Sequence, residues 1–350
     1  MPVSYESRRR KNMKKIISIL LVLTMVFALA GCGGGGTEPE AEDTILIRIG
    51  HTDSSTRSTN TAGLWLADYL AEETDGRVVV EMYPDGQAGD DPDMAAGVKL
   101  GTIEFYFGLA SVISAIAGDE ASCVDLPYLY PTYEDWITGT FENGGLELFN
   151  EALAEAGYTA VDMLYNGMRN VISRDKVYHN SEDFNGTKIR ISQNELNVTL
   201  WQAMGANPTP MAWGEVVTSL SQGTIDALDH SLGVFNDFSL YEMAPYVTIT
   251  NHCSSPYPLV CSTEWLESLP EDLKPIILDG IHQMCEMQRA EERANEMEYL
   301  ASFEAAGATI YELTAEESAA FKELCKPAYD LWAEKVGQDL IDAWLATCPE

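Results

Sequence analysis

The stretch from Phe184 to Ser231 constrains the fold more than any other part of the chain. It opens with FNGTKIRIS (184–192), continues through GANPTPM (205–211) and closes with SLSQGTIDALDHS (219–231). The pattern is a strand, a proline-crowded turn, a helix that stops at Gly223, and a second strand. Strand and helix in alternation specify an α/β lobe. Within Lys188–Ser192, Ile189 and Ile191 face one way, and Lys188, Arg190 and Ser192 face the other. Open α/β sheets bind ligands in the crevice at the carboxyl ends of their strands. An arginine there offers a planar fork matched to a carboxylate. A surface salt bridge is the plain alternative, because acidic residues abound.

The first half repeats the alternation. TILIRIGH (44–51) reads as a strand, 61–73 as a helix, GRVVVEMY (76–83) as a strand, and 93–100 as a helix stopped by Gly101. TIEFYFG (102–108) is a near-continuous apolar run, expected of a strand covered on both faces. LGTIE (100–104) and QGTID (222–226) place the same Gly-Thr-Ile-acid sequence after a helix, which suggests a second lobe of the same kind. Chance recurrence of a common helix stop is the alternative. The second lobe would include GMRNVIS (167–173), TKIRIS (187–192) and TIDALDH (224–230). From 271 to 307 no strong helix stop intervenes, despite Pro275 and Gly280. A helix of that length reaches roughly 50 Å, enough to run across two lobes. Residues 315–346 add amphipathic helix. The fold class is therefore α/β, with two lobes and a long spanning helix.

The amino terminus reads as an address. Six basic residues between Arg8 and Lys15 precede an apolar run from Ile16 to Ala30. Fifteen residues is short for a membrane span and right for a signal-peptide core. The run ends in LAGC (29–32), a lipobox pattern in which Cys32 is lipidated and cleavage falls before it. Met13 offers an alternative start. Residues 1–31 are thus expected to be a signal peptide, and 32–43 a lipidated cysteine with a flexible glycine-rich and acidic linker. The expected location is the outer face of the cell membrane, held by the lipid.

Without residues 1–31 the chain carries 15 basic and 54 acidic residues, a net charge of −39. That field repels nucleic acid. It also makes an arginine aimed at a pocket conspicuous, since only eight remain. The histidines lack HxH, HExxH or HxxxH spacing, no cysteine pair is spaced CxxC, and no phosphate-binding glycine motif follows a strand. No metal, cofactor or catalytic machinery is expected. Cys253 and Cys261 are close enough to bridge if they sit on neighbouring segments; buried free thiols are the alternative.

Other candidates are weaker. Arg169, in YNGMRN (165–170), follows the logic of Arg190, with Tyr165 and Asn166 beside it as an aromatic wall and an amide. Trp213 follows Pro208 and Pro210 and suits a fixed stacking surface, or simply the core. Asp229 and His230 end a strand and pair an acid with an imidazole.

At this point the chain resembles the DctP-like family, the extracytoplasmic solute-binding proteins of TRAP transporters. The resemblance rests on FNGTKIR, GANPTPM and EVVTSLSQGTID (215–226). It extends to GRVVVEMYPDGQAGDD (76–91), DLPYLYPTYEDW (125–136) and YEMAPYVTITNH (241–252), covering about 44–335. It implies a two-lobed clamp that closes on a small organic acid and hands it to TRAP permease membrane subunits. Lobe I would comprise 44–166 plus 256–295, and lobe II 167–255 plus 296–350. It further implies Arg190 as the carboxylate anchor, Arg169 in support and Trp213 as a cover. Lesser contacts are implied for His51, Asp53, Asp91, Gly108, Leu109 and Gln193. Members often read DGQEN where this chain has DALDH (226–230), so Asp229 and His230 replace a glutamate and an asparagine. That departure argues against a sialic-acid or uronate ligand. A sensor that presents its ligand to a membrane receptor kinase, and a secreted hydrolase, are the rival functions.

Overall fold

Alternating apolar residues build the first strand: Ile47 and Ile49 are buried while Arg48 between them stays partly exposed. The computed structural model describes residues 44–349. The expected signal peptide, Cys32 and the linker lie outside the described residues. Strand β1 (Ile45–Gly50) leads to helix α1 (Ser58–Glu73), β2 (Val78–Tyr83), α2 (Asp91–Leu100), β3 (Phe105–Phe107) and α3 (Ala110–Ala117). The middle of the chain holds β4 (Tyr158–Ser173), β5 (Lys188–Ile191), α4 (Glu195–Ala203) and β6 (Asn207–Pro210). After these come α5 (Val216–Gln222), β7 (Ala227–Ser231), α6 (Leu232–Asp237) and β8 (Tyr246–Ser262). A long helix, α7 (Lys274–Ala305), precedes β9 (Thr309–Glu312).

One nine-stranded sheet runs β2-β1-β3-β8-β4-β7-β5-β6, with β9 paired to β8. Strands β1 to β3 are parallel to one another, as are β5 to β7. The antiparallel pair β4 and β8 joins the two groups. The product is a two-lobed α/β fold, with α7 crossing from one lobe to the other. Its 32 residues span roughly 48 Å. Gly280 lets α7 lie tight on α1: a Cβ there would stand 2.9 Å from the Tyr69 ring and 3.1 Å from Leu66.

The internal echo is structural. Gly101 ends α2 at φ 71°, ψ 22°, and Gly223 ends α5 at φ 74°, ψ 22°. Both occupy the left-handed region that glycine enters without a Cβ clash. In each case the following threonine N–H donates back to a helix carbonyl, Thr102 to Gly97 at 3.0 Å and Thr224 to Ser219 at 2.9 Å.

Several expectations change in detail. The strand expected over 102–108 shortens to Phe105–Phe107, because Thr102 is spent capping α2. The proline-crowded turn becomes strand β6 at the sheet edge. Asn207 donates its N–H to Thr187, just before β5, and Met211 donates to Ile191 in β5; the prolines lie between these donors, on the edge strand that tolerates them. The amphipathic stretch 315–346 divides into three helices, Ala315–Leu324, Lys326–Val336 and Gln338–Ala346, broken near Pro327 and at Gly337. Strands β4 and β8 run far beyond the segments expected for them. Their pairing shifts register between Tyr165/Pro256 and Met168/Ser254, where Gly167 takes φ 101°.

Cys253 and Cys261 lie on the single strand β8, paired with Arg169 and Thr159 respectively. Eight residues of strand put them about 26 Å apart, too far to bridge. The six described cysteines are free, and all but Cys348 are buried.

Candidate functional site

A cavity opens where β1, β3, β5 and β7 end. It encloses about 840 Å³ of empty space, its solvent-open mouth included. Arg190 reaches it from β5, whose neighbours β7 and β6 fix its register against Leu228 and Thr209. Arg190 is 2% exposed. Its Nε and Nη2 donate to Met211 O at 3.1 and 2.7 Å, which fixes the plane of the fork. Nη1 is buried and without a partner. The Trp213 ring lies 5.4 Å from the guanidinium carbon. Burial, with the Arg169 cation nearby, pulls the Arg190 pKa down to about 10.

The other buried arginines are neutralised from within the chain. Arg57 bonds Asp53 at 2.9 Å and Glu292 at 3.0 Å, and Arg289 bonds Asp162 at 2.6 Å. Arg169 donates from Nε to Asp229 Oδ2 at 2.8 Å and from Nη2 to Asp229 O at 2.9 Å. Among the described residues, Arg190 is the buried arginine without a carboxylate partner. An unpaired buried cation is costly and calls for an anion.

Arg169 and Asp229 sit behind the cavity wall rather than on it. Burial alone would raise the Asp229 pKa; Arg169 and His252 outweigh it and hold the carboxyl well below the usual range. His252 approaches Asp229 Oδ2 at 3.2 Å. The sequence reading missed His252, for nothing in its spacing points to a residue that pairs across strands.

His230 lines the cavity. Burial, with Arg169 and Arg190 nearby, holds its pKa well below the ordinary value, so the ring is neutral. Its Nδ1 accepts the Ser231 N–H at 2.9 Å, which leaves the proton on Nε2. His230 therefore offers the cavity a donor. Trp213 meets it edge-on at 5.2 Å and meets Phe238 at 5.0 Å.

Asp53, Asp91, Gly108, Leu109 and Gln193 also line the cavity. Asp53 is held by Arg57 and by Thr59 Oγ1, which donates at 2.8 Å. Asp91 Oδ1 accepts from Thr52 at 3.1 Å and from Tyr106 at 3.0 Å, and burial pushes its pKa up to about 6. A Cβ on Gly108 would fall 1.9 Å from the Tyr106 hydroxyl, so only glycine lets that tyrosine reach Asp91. Two candidates lie elsewhere. His51 is buried, stacks on Phe107 at 4.4 Å and approaches Asn60 at 3.3 Å. Tyr165 packs among Tyr133 and Trp136 and donates to Glu296 at 3.0 Å. Lining residues absent from the sequence reading include Val112, Ile116, Val234, Phe238 and Tyr257. They share no local motif; the fold alone gathers them.

Residues 49–335 match the family model DctP, bacterial extracellular solute-binding protein, family 7. The chain belongs to this family. The DctP-family chain is 25% identical over 313 residues to the C4-dicarboxylate-binding periplasmic protein DctP of Rhodobacter capsulatus, covering 89% of itself and 93% of that protein. It superposes on a TRAP periplasmic solute-binding protein of Sulfurospirillum deleyianum with bound succinate at TM-score 0.80 and 25% identity, over 86% of this chain and 98% of that one. It also superposes on one from Roseobacter denitrificans with bound L-galactonate at TM-score 0.78 and 26% identity, over 86% and 99%. The DctP-family chain is thus an extracytoplasmic solute-binding protein. Among its described residues no cluster of three or more His, Cys, Asp or Glu is placed to hold a metal, and no helix is long and apolar enough to cross a membrane.

Proposed function

We propose that this protein captures a small organic acid outside the cytoplasm and delivers it, chemically unchanged, to the membrane subunits of a TRAP-type permease. The observation that carries this reading is the buried, unpartnered Nη1 of Arg190 at a cavity wall. A ligand carboxylate supplies the missing anion and forms charge-assisted hydrogen bonds there. His230 donates from Nε2 to the same ligand, Gln193 supplies an amide, and Trp213 covers it. Arg169 and Asp229 act from behind, the pair keeping Asp229 from neutralising Arg190. His51 and Tyr165 hold the surrounding wall by packing. The ligands bound in the related structures, succinate and L-galactonate, are organic acids.

Closure is a hinge motion between lobe I (44–166 plus 256–295) and lobe II (167–255 plus 296–350). The register shift of β4 against β8 at Tyr165–Met168 supports a hinge there. Ser54 N–H donating to Asp237 at 3.2 Å, and Ser111 to Ser192 at 3.3 Å, are contacts suited to a closed clamp. Cys32 carries the lipid that holds the protein at the membrane, a reading supported by LAGC.

Titration calorimetry with a panel of organic acids tests the function. Stoichiometric binding that Arg190→Ala abolishes supports it; full affinity in that variant rejects the anchor. Radiolabelled palmitate incorporation that Cys32→Ala removes tests the lipid.

A further inference from the structure

Among the polar groups lining the cavity, Arg190 and Asp91 differ in charge and in what they lack. Arg190 presents a cation with no internal counter-ion. Asp91 presents an acceptor: both of its hydrogen bonds fall on Oδ1, and among the described residues Oδ2 receives none. Of the cations nearby, Arg57 is already neutralised by Asp53 and Glu292, and Arg169 by Asp229. No lysine lines the cavity. A second ligand carboxylate therefore finds no second free cation, and meets the carboxyl of Asp91 instead. Much of the remaining wall is apolar, with Val112, Ile116, Met211, Trp213, Val234 and Phe238 contributing. Thr52, Asp90, Ser192, Gln193 and His230 interrupt it, but a chain of hydroxyls laid against the apolar part gives up water without partners in exchange.

We infer that the ligand is an apolar monocarboxylate bearing one hydrogen-bond donor, a hydroxyl or an ammonium group, which Asp91 receives while Arg190 holds the carboxylate. This inference rests on the preceding reading of Arg190 as the carboxylate anchor. It separates this chain from relatives whose structures hold a dicarboxylate or a sugar acid.

The experiment is titration calorimetry on the purified protein with six compounds. Phenylalanine and leucine carry an ammonium group, and phenyllactate a hydroxyl. 3-Phenylpropionate carries neither. Succinate and galactonate represent the relatives' ligands. A donor-bearing apolar acid is expected to bind at least tenfold more tightly than 3-phenylpropionate and at least a hundredfold more tightly than succinate or galactonate. In Asp91→Asn the ratio of donor-bearing to donor-less affinity should fall toward one, and preference for phenylalanine or for phenyllactate identifies which donor is used. Succinate or galactonate binding as tightly as the best apolar acid overturns the inference, as does a donor ratio unchanged in Asp91→Asn. If those two bind tightly through Arg190, the anchor reading stands and this inference alone fails. If no compound binds in an Arg190-dependent way, both fail.

Discussion

Asp229 pairs with Arg169 and not with Arg190. Its Oδ2 takes the Arg169 Nε–H at 2.8 Å and lies 3.2 Å from His252, leaving Arg190 with only the Met211 carbonyl. One buried cation is thereby neutralised and the other kept available. Arg190→Ala should weaken ligand binding by about 100-fold or more, the usual scale for truncating one partner of a buried charge pair. Arg190→Lys should also lose at least about tenfold, because an ammonium lacks the planar fork that holds Met211 and a carboxylate together. Arg190→Met should raise the melting temperature of the ligand-free protein, since an unpaired buried cation disappears. Calorimetry and thermal unfolding read these outcomes.

Asp229→Ala should behave in the opposite way. It leaves the Arg169 guanidinium buried without its carboxylate and should cost about 3–5 kcal/mol of stability. Arg169→Met combined with Asp229→Leu should recover part of that loss. Urea unfolding of the two variants makes the comparison.

Asp91 makes stability depend on pH. Its ordinary pKa is 3.8, and burial raises it to about 6 in the folded chain. Between these values the folded state binds the proton that the unfolded state has released, so stability falls as pH rises through that window. Asp91→Asn removes the dependence while its carbonyl still accepts from Thr52 and Tyr106. Relative to the parent it should gain on the order of 3 kcal/mol above pH 7 and almost nothing below pH 3. Asp125, raised by burial to about 7, titrates nearby, so the difference between parent and variant is the quantity to follow.

The thiols should report burial. Burial pushes Cys123, Cys261 and Cys325 up to about 12, which disfavours the reactive thiolate. In the native protein Cys348, the one described cysteine not fully buried, should react first with a chromogenic disulfide reagent. The other five should react only after denaturation. Prior reduction should not change their number.

Trp213→Ala should weaken binding about tenfold by removing the aromatic face beside Arg190 and His230. Quenching of tryptophan emission by ligand in the parent, diminished in the variant, checks this.

Local pattern determined much of this protein. Ile189 and Ile191 alternating with Arg190 set which face of β5 carries the cation, because side chains alternate along any strand. Gly101 and Gly223 fixed where two helices stop, because only their left-handed conformation satisfies the helix ends. The unbroken helical run after Pro270 set a helix long enough to cross two lobes. Tertiary structure decided the rest. Arg169 and Arg190 look alike in sequence, yet one is neutralised and the other is not, because β4 pairs with β7 and brings Arg169 to Asp229. Whether a charge is free depends on what the sheet places beside it, and that pairing spans sixty residues that no local periodicity connects.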